Sequence, residues 1–411
     1  MRRALVLVHR WLGLFTALLL FVAGASGALI AWDHELDELL NPELFELPST
    51  EGAHAASLLS GLELARRVEA HHPSLVVRST ELTAEPGHNL LMFVDPRVDP
   101  HSGRPYELDY NQVAVDPTTG AVRGRRNWGG PTLSRQNFMP FMVRLHYSLH
   151  LPEWRGLETG VLLMGLVGMV WAVDSLVALW LSFPSRRSWR ASLRYRWRQG
   201  GAKRTFDLHR STGVWLWGLL FMMAVTGFAM NLRSELMRPL VSLFSPLTPE
   251  PFDAPAPSLG ARSVPKLSRE EAVQAAQREA ERSHIRSPAN ALFYDPEYGV
   301  YGVGFFAAGA AHGDGTLGNP WIYVDGRDGK VVGAEVPGRG SAGDLFMQAQ
   351  FPLHSGRLFG LAGRVAISLL GSVVAMLSVT GILIWARKRR ARVHSAARLG
   401  AERAADDGLA R

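Results

Sequence analysis

The sequence predicts an α-helical membrane protein with α+β extracytoplasmic domains, and three observations predict it. Four apolar runs are each long enough to cross a bilayer, two long polar segments carry helix and strand patterning, and the second half of the chain repeats the first. A spanning helix needs about 20 mostly apolar residues, because the hydrocarbon core is about 30 Å thick and a helix rises about 1.5 Å per residue.

The first run, Leu12 to Trp32, carries no charge, and neither do Ser211 to Leu232 and Val365 to Ala386; Thr159 to Phe183 carries only Asp174. Arg2, Arg3 and the small residues Gly24 to Gly27 resemble a signal peptide. The same pattern recurs internally at His209, so the first run reads as a retained helix. The predicted boundaries are 1–32 for transmembrane helix 1, 33–155 for the first outside domain with its pre-helix segment, and 156–183 for helix 2. A basic loop follows at 184–207, then helix 3 at 208–232, the second outside domain at 233–357, helix 4 at 358–386 and a solvated tail at 387–411.

The loop "PSRRSWRASLRYRWRQGGAKR" has no acid, and "ARKRRAR" follows the fourth run. Positive charge resists translocation, which places both loops and the N-terminus in the cytoplasm and the two long segments outside. The net charge of +7 is thus a topology signal, and no nucleic-acid partner is expected. The absence of cysteine from all 411 residues excludes disulfides, iron–sulfur clusters and thiolate metal sites.

Both outside segments read as a helix followed by strands: "LLSGLELARRVEAHHP" then "LVVRSTEL", "HNLLMFVD" and "NQVAVDPTTGAVRG", and "SREEAVQAAQREAERSH" then "ALFYDP", "VYGVGFFA" and "WIYVDGRDGKVVG". Asp116 and Gly120 match Asp325 and Gly329 and mark structural turns between strands. The segment Pro255 to Ser268 is a Pro/Ser-rich lead, and "GAAHGDGTLGNP" is a Gly-rich loop. His9, Arg10, Gly13, Phe21 and Gly27 match His209, Arg210, Gly213, Phe221 and Gly227 at one constant offset. These matches predict a four-helix transmembrane bundle from two parallel repeats, related by a pseudo-two-fold axis along the membrane normal.

That axis brings His9 and His209 toward one point at the cytoplasmic side. His354 precedes the fourth helix, while His146 and His150 precede the second and, spaced i, i+4, would share a helix face. Imidazoles on facing helices suit axial ligation of haem iron, and histidine on both faces leaves no open position, which favours electron transfer over oxygen chemistry. Gly13 and Gly213 would let a flat macrocycle lie close. Arg10 and Arg210 would pair with its propionates or anchor the helix ends; the same two readings apply to Arg144 and Arg364. The repeat alignment favours His150 as the outer ligand with His354, and His146 remains its competitor. Zinc held by His146 and His150 is a weaker reading, lacking a third ligand. Asp174 would hydrogen-bond a ligating imidazole, relay protons or serve bundle structure. His71, His72, His101, His284 and His312 read as surface residues.

The "HRWLG" and "HRSTG" starts, the "LHYSLHLP" and "PLHSGRLFGLAGR" segments and the outside domains ending in "VDPTTGAVRG" and "VDGRDGKVVG" resemble the PepSY-associated transmembrane proteins over nearly the whole chain. That bacterial inner-membrane family is linked to iron uptake, and some members resemble or are ferric-siderophore reductases with two b-type haems. The resemblance implies two repeats of helix, PepSY-like domain and helix. It implies haem b ligation by His9, His209, His354 and one of His146 or His150, the "RLHYSL" context favouring His146. It further implies an oxidoreductase that reduces a periplasmic ferric siderophore or other ferric chelate. No dinucleotide fingerprint is present, so the electron donor is a quinol or a separate cytoplasmic reductase. The alternative is a non-enzymatic PepSY protein binding a periplasmic peptide, protease or siderophore in a regulatory role; metal transport is weaker, with only four helices. One departure from the repeat is "AVDS" in the second helix where the fourth has "SVTG".

Overall fold

The computed structural model describes residues 1–47, 58–185, 189–253 and 264–409, the last eleven of these by their backbone. Most of the Pro/Ser-rich lead, two arginines of the basic loop and the end of the C-terminal tail lie outside the described residues. The helices are α1 (Arg2–Ile30), α2 (Asp33–Leu40), α3 (Pro42–Phe45), α4 (Gly61–His71), α5 (Phe138–Ser148), α6 (Thr159–Ser182), α7 (Trp189–Ser192), α8 (Gly201–Trp215), α9 (Trp217–Asn231), α10 (Arg238–Ser242), α11 (Arg269–Arg282), α12 (Ala342–Ser355) and α13 (Gly360–Leu409). The strands are β1 (Leu75–Glu81), β2 (Leu90–Pro96), β3 (Gln112–Val115), β4 (Val122–Arg126), β5 (Ala289–Asp295), β6 (Val300–Phe305), β7 (Trp321–Asp325) and β8 (Val331–Glu335). The chain divides into a helical unit, residues 1–31, 145–232 and 365–411, and a sheet unit, residues 32–144 and 233–364.

In the helical unit, three helices among the described residues are long and apolar enough to cross a membrane, and α8 with α9 makes a fourth if the pair is one span. The third helix differs from the expected unbroken 208–232: α8 and α9 meet at 72°. Leu216, between them, has φ −101° and ψ 9°, off helical values. Trp215 Nε1 donates to Leu193 O at 3.0 Å and Trp217 Nε1 to Ser175 O at 3.1 Å, so the two indoles flanking the break are tied to different segments. The C-terminal tail continues α13 as helix to Leu409, with its residues exposed from Arg387 to Arg398.

Small residues let these helices approach closely, as apolar spans need when packing replaces the hydrophobic effect. A Cβ on Gly24 of α1 would stand 2.6 Å from Gly371 O of α13, and a Cβ on Gly371 would stand 2.6 Å from Gly24 O. Gly165 and Gly168 of α6 likewise lie against Leu232 and Phe228.

In the sheet unit, eight antiparallel strands form one sheet in the order β4-β3-β2-β1-β5-β6-β7-β8. The two outside segments, read separately in the sequence, are therefore joined: β1 pairs with β5, Ser79 opposite Phe293 and Thr80 opposite Leu292. Each set of four strands is a meander preceded by an amphipathic helix. Leu64, Ala65 and Val68 of α4 pack with Leu75, Met92 and Val115, and Ala272, Ala276 and Ala280 of α11 pack with Leu292, Val303 and Ile322. Both helices start where a serine caps them: Ser60 accepts from Glu63 N, and Ser268 forms a reciprocal capping box with Glu271. The turns at Asp116 and Asp325 join β3 to β4 and β7 to β8, with Gly120 at φ 80° and Gly329 at φ 72°. There each aspartate side chain accepts a backbone N–H two residues on.

Candidate cofactor site in the helical unit

Near the N-terminal end of α1 the helical unit holds a partly open cavity of about 430 Å³. Its walls come from α1, α6, α8, α9 and α13 and are mostly apolar, with Leu20, Trp171, Trp217, Leu220 and Leu377 among them. His9 and His209 both line it, their ring centroids 6.4 Å apart and planes inclined at 50°. The sequence expectation that these two imidazoles converge matches their positions in the fold.

Each ring is held by its Nδ1. His9 Nδ1 lies 3.0 Å from both carboxylate oxygens of Asp174, which is buried on α6 at 7% exposure. His209 Nδ1 lies 3.1 Å from Leu377 O and 3.0 Å from Thr380 Oγ1, both on α13. A carboxylate or a carbonyl can only accept, so Nδ1 must carry the proton in both rings. That tautomer leaves the lone pair on Nε2. Asp174 and Thr380 occupy the same place in the "AVDS" and "SVTG" segments, and each steadies one of the two matched histidines.

The space beside the rings is kept by glycine. Gly213, one turn from His209, has no atom within 4 Å of where a Cβ would sit, and at Gly13 the nearest would be Asp174 Oδ2 at 3.9 Å. A Cβ on Gly381 would come within 3.3 Å of His209 Cε1, a contact the sequence pattern did not reveal.

Arg2, Arg10, Arg210, Lys388 and Arg392 bring cationic groups to the cavity lining. Arg210 lies over the Phe206 ring, 5.1 Å from its centroid, and its Nε is buried without a hydrogen-bond partner. Its Nη2 donates to Ala191 O and pairs with the buried Asp207 at 3.4 Å, so the guanidinium is already tied to the protein on one side.

The remaining predicted residues fall elsewhere. His146 sits on α5 with its Nδ1 2.9 Å from Ala23 O and 3.2 Å from Ser26 Oγ of α1, the same proton-bearing tautomer. A Cβ on Gly27 would stand 2.9 Å from His146 Cε1, so the glycine matched in the repeat makes room for this ring. Ala23 is fourteen residues beyond His9, about 21 Å along α1 at 1.5 Å per residue. His150 does not share a helix face with His146 as expected: α5 ends at Ser148, and Leu149 and His150 both have φ 54°. Such left-handed values are uncommon outside glycine and take His150 off the helix. His354 lies in the last turn of α12, in the sheet unit, half-buried. Arg364 belongs to the sheet unit, where it donates to Glu35 at 2.6 Å and covers Trp32 at 4.6 Å; Arg144 of the same unit donates to Gly129 O at 3.4 Å. Among the described residues no group of three or more His, Asp or Glu is arranged to hold a bare metal ion, which removes support from a zinc site at His146 and His150.

Helices of membrane-spanning length together with an antiparallel sheet unit define a multi-pass α+β membrane protein. Within that class the chain belongs to the family of the PepSY-associated TM region, whose model matches residues 6–388. No match to a curated protein was found.

Proposed function

We propose that this protein is a di-haem b electron-transfer protein of the bacterial inner membrane, an oxidoreductase that reduces a periplasmic ferric chelate such as a ferric siderophore. The observation that carries the reading is the His9–His209 pair: two imidazoles of fixed tautomer face one apolar cavity, each with Nε2 left to coordinate. Both rings line one cavity with Nδ1 committed to an acceptor, so His9 and His209 would together hold a haem iron through Nε2. The cavity volume falls in the range of about 300–1,000 Å³ usual for cofactor sites.

Haem held by two histidines supplies one-electron chemistry with no open coordination position. The chain's own residues do the rest. His9 and His209 would hold the group, Asp174 and Thr380 hold those rings in one tautomer, and the mostly apolar walls would pack against the macrocycle. Arg10 and Arg210, both at the cavity lining, would pair with propionates. The second haem would be held by His354 and one of His146 or His150. His146 is favoured, because its Nδ1 is committed as in the inner pair and Gly27 clears space beside it. The basic loop and tail support cytoplasmic termini with the two PepSY-like segments in the periplasm, the four spans arising from two parallel repeats.

Reduction releases iron because Fe²⁺ binds hard oxygen ligands more weakly than Fe³⁺, and each ferric ion takes one electron. The test is to mix dithionite-reduced, desalted protein anaerobically with a ferric siderophore and a colorimetric Fe²⁺ trap. The expected result is loss of the reduced b-type band with one Fe²⁺ formed per haem oxidised. A band that persists with no Fe²⁺ formed contradicts ferric-chelate reduction and leaves the regulatory binding protein.

A further inference from the structure

We infer that Asp174 is a positioning residue whose carboxylate lowers the reduction potential of the haem that His9 and His209 would hold; this rests on the haem reading above. Three imidazoles in the helical unit hold their Nδ1–H against an acceptor, and the acceptors differ in charge. His9 donates to a carboxylate, with both Asp174 oxygens at 3.0 Å. His209 donates to a carbonyl and to Thr380 Oγ1, whose own proton goes to Met376 O at 2.8 Å. His146 donates to Ala23 O, with Ser26 Oγ beside it sending its proton to Val22 O at 2.6 Å. The acceptors at His209 are neutral.

The difference falls where the two halves of the chain depart from each other, Asp174 standing where Thr380 stands in the matching segment. A carboxylate pulling on Nδ1–H raises the electron density at Nε2, and a more basic ligand stabilises ferric over ferrous iron. The charge acts strongly because Asp174 is buried, and among the described residues no Arg or Lys forms an ion pair with it. A purely structural hydrogen bond at this place would be served equally by a threonine, as it is at His209.

The test is a spectroelectrochemical titration of the full-length protein and of Asp174→Asn and Asp174→Glu. The wild type should titrate in two steps. Asp174→Asn should raise one of the two steps alone, changing its reduced-to-oxidised ratio at a fixed potential by about tenfold or more. Asp174→Glu should leave both steps where they were. Two haems with both steps unmoved in Asp174→Asn would overturn the inference and leave the haem reading standing, whereas a wild type without haem would overturn the reading itself. If Asp174→Asn loses a haem, Asp174→Glu decides: retention at the wild-type potential upholds the role of charge, and retention at a raised potential or loss of the haem overturns it.

Discussion

His146 and Gly27 show how much rests on single atoms. A Cβ at Gly27 would stand 2.9 Å from the imidazole of His146, so Gly27→Val should push that ring aside, and spectra of the purified variant should show one of two haems lost with the other intact. At Glu35 the hydrogen bond from Arg364 outweighs burial and lowers the carboxyl from the usual 4.5 to about 2. A depressed acid contributes stability that is present above its unfolded value and lost as the pH falls through the folded one. Thermal melts should therefore decline between pH 4.5 and about 2, and Glu35→Gln should flatten that decline. Two of these side chains could be picked out in the sequence, His146 by its family context and Gly27 by the repeat. The partner of Asp174 could only be offered as one option, because the rotation of α6 against α1 is set by packing that residue spacing does not encode. Thr380 and Gly381 were hidden for the same reason: a threonine and a glycine in an apolar run carry no signal until a histidine is placed beside them.

Among the elements, β4 buries a charged residue on the same side as Gly124, opposite the exposed Arg123 and Arg125. Arg126 is buried, donates to Gln112 Oε1 at 2.6 Å and pairs with the buried Asp37 of α2 at 2.8 Å. Removing one member of a buried pair strands the other charge, so Asp37→Ala should destabilise the sheet unit by about 3–5 kcal/mol, measurable by denaturant melts. The helices and strands themselves were readable from apolar run length, serine caps and Asp…Gly turns. The break at Leu216 was not: no proline marks it, and its apparent anchors, the Trp215 and Trp217 indole N–H groups, bind acceptors far away in the sequence. The end of α5 was missed for a related reason, since His150 takes a left-handed conformation without the glycine that normally announces one.

For the whole molecule, the sequence showed two long polar segments of the same helix-and-strands order, and the structure joins them through β1 and β5 into one sheet. That union was beyond the sequence pattern because an edge strand looks like a central one until its neighbour is known. Together, the matched histidines, their locked tautomers and the apolar cavity make haem binding the claim on which the proposed function stands. The most direct test is a dithionite-reduced minus oxidised spectrum of the detergent-purified protein with a pyridine haemochrome count. Two b-type haems per chain, falling to one in His9→Ala and in His209→Ala, is the expected result. A protein that stays colourless after haem-replete expression would contradict it.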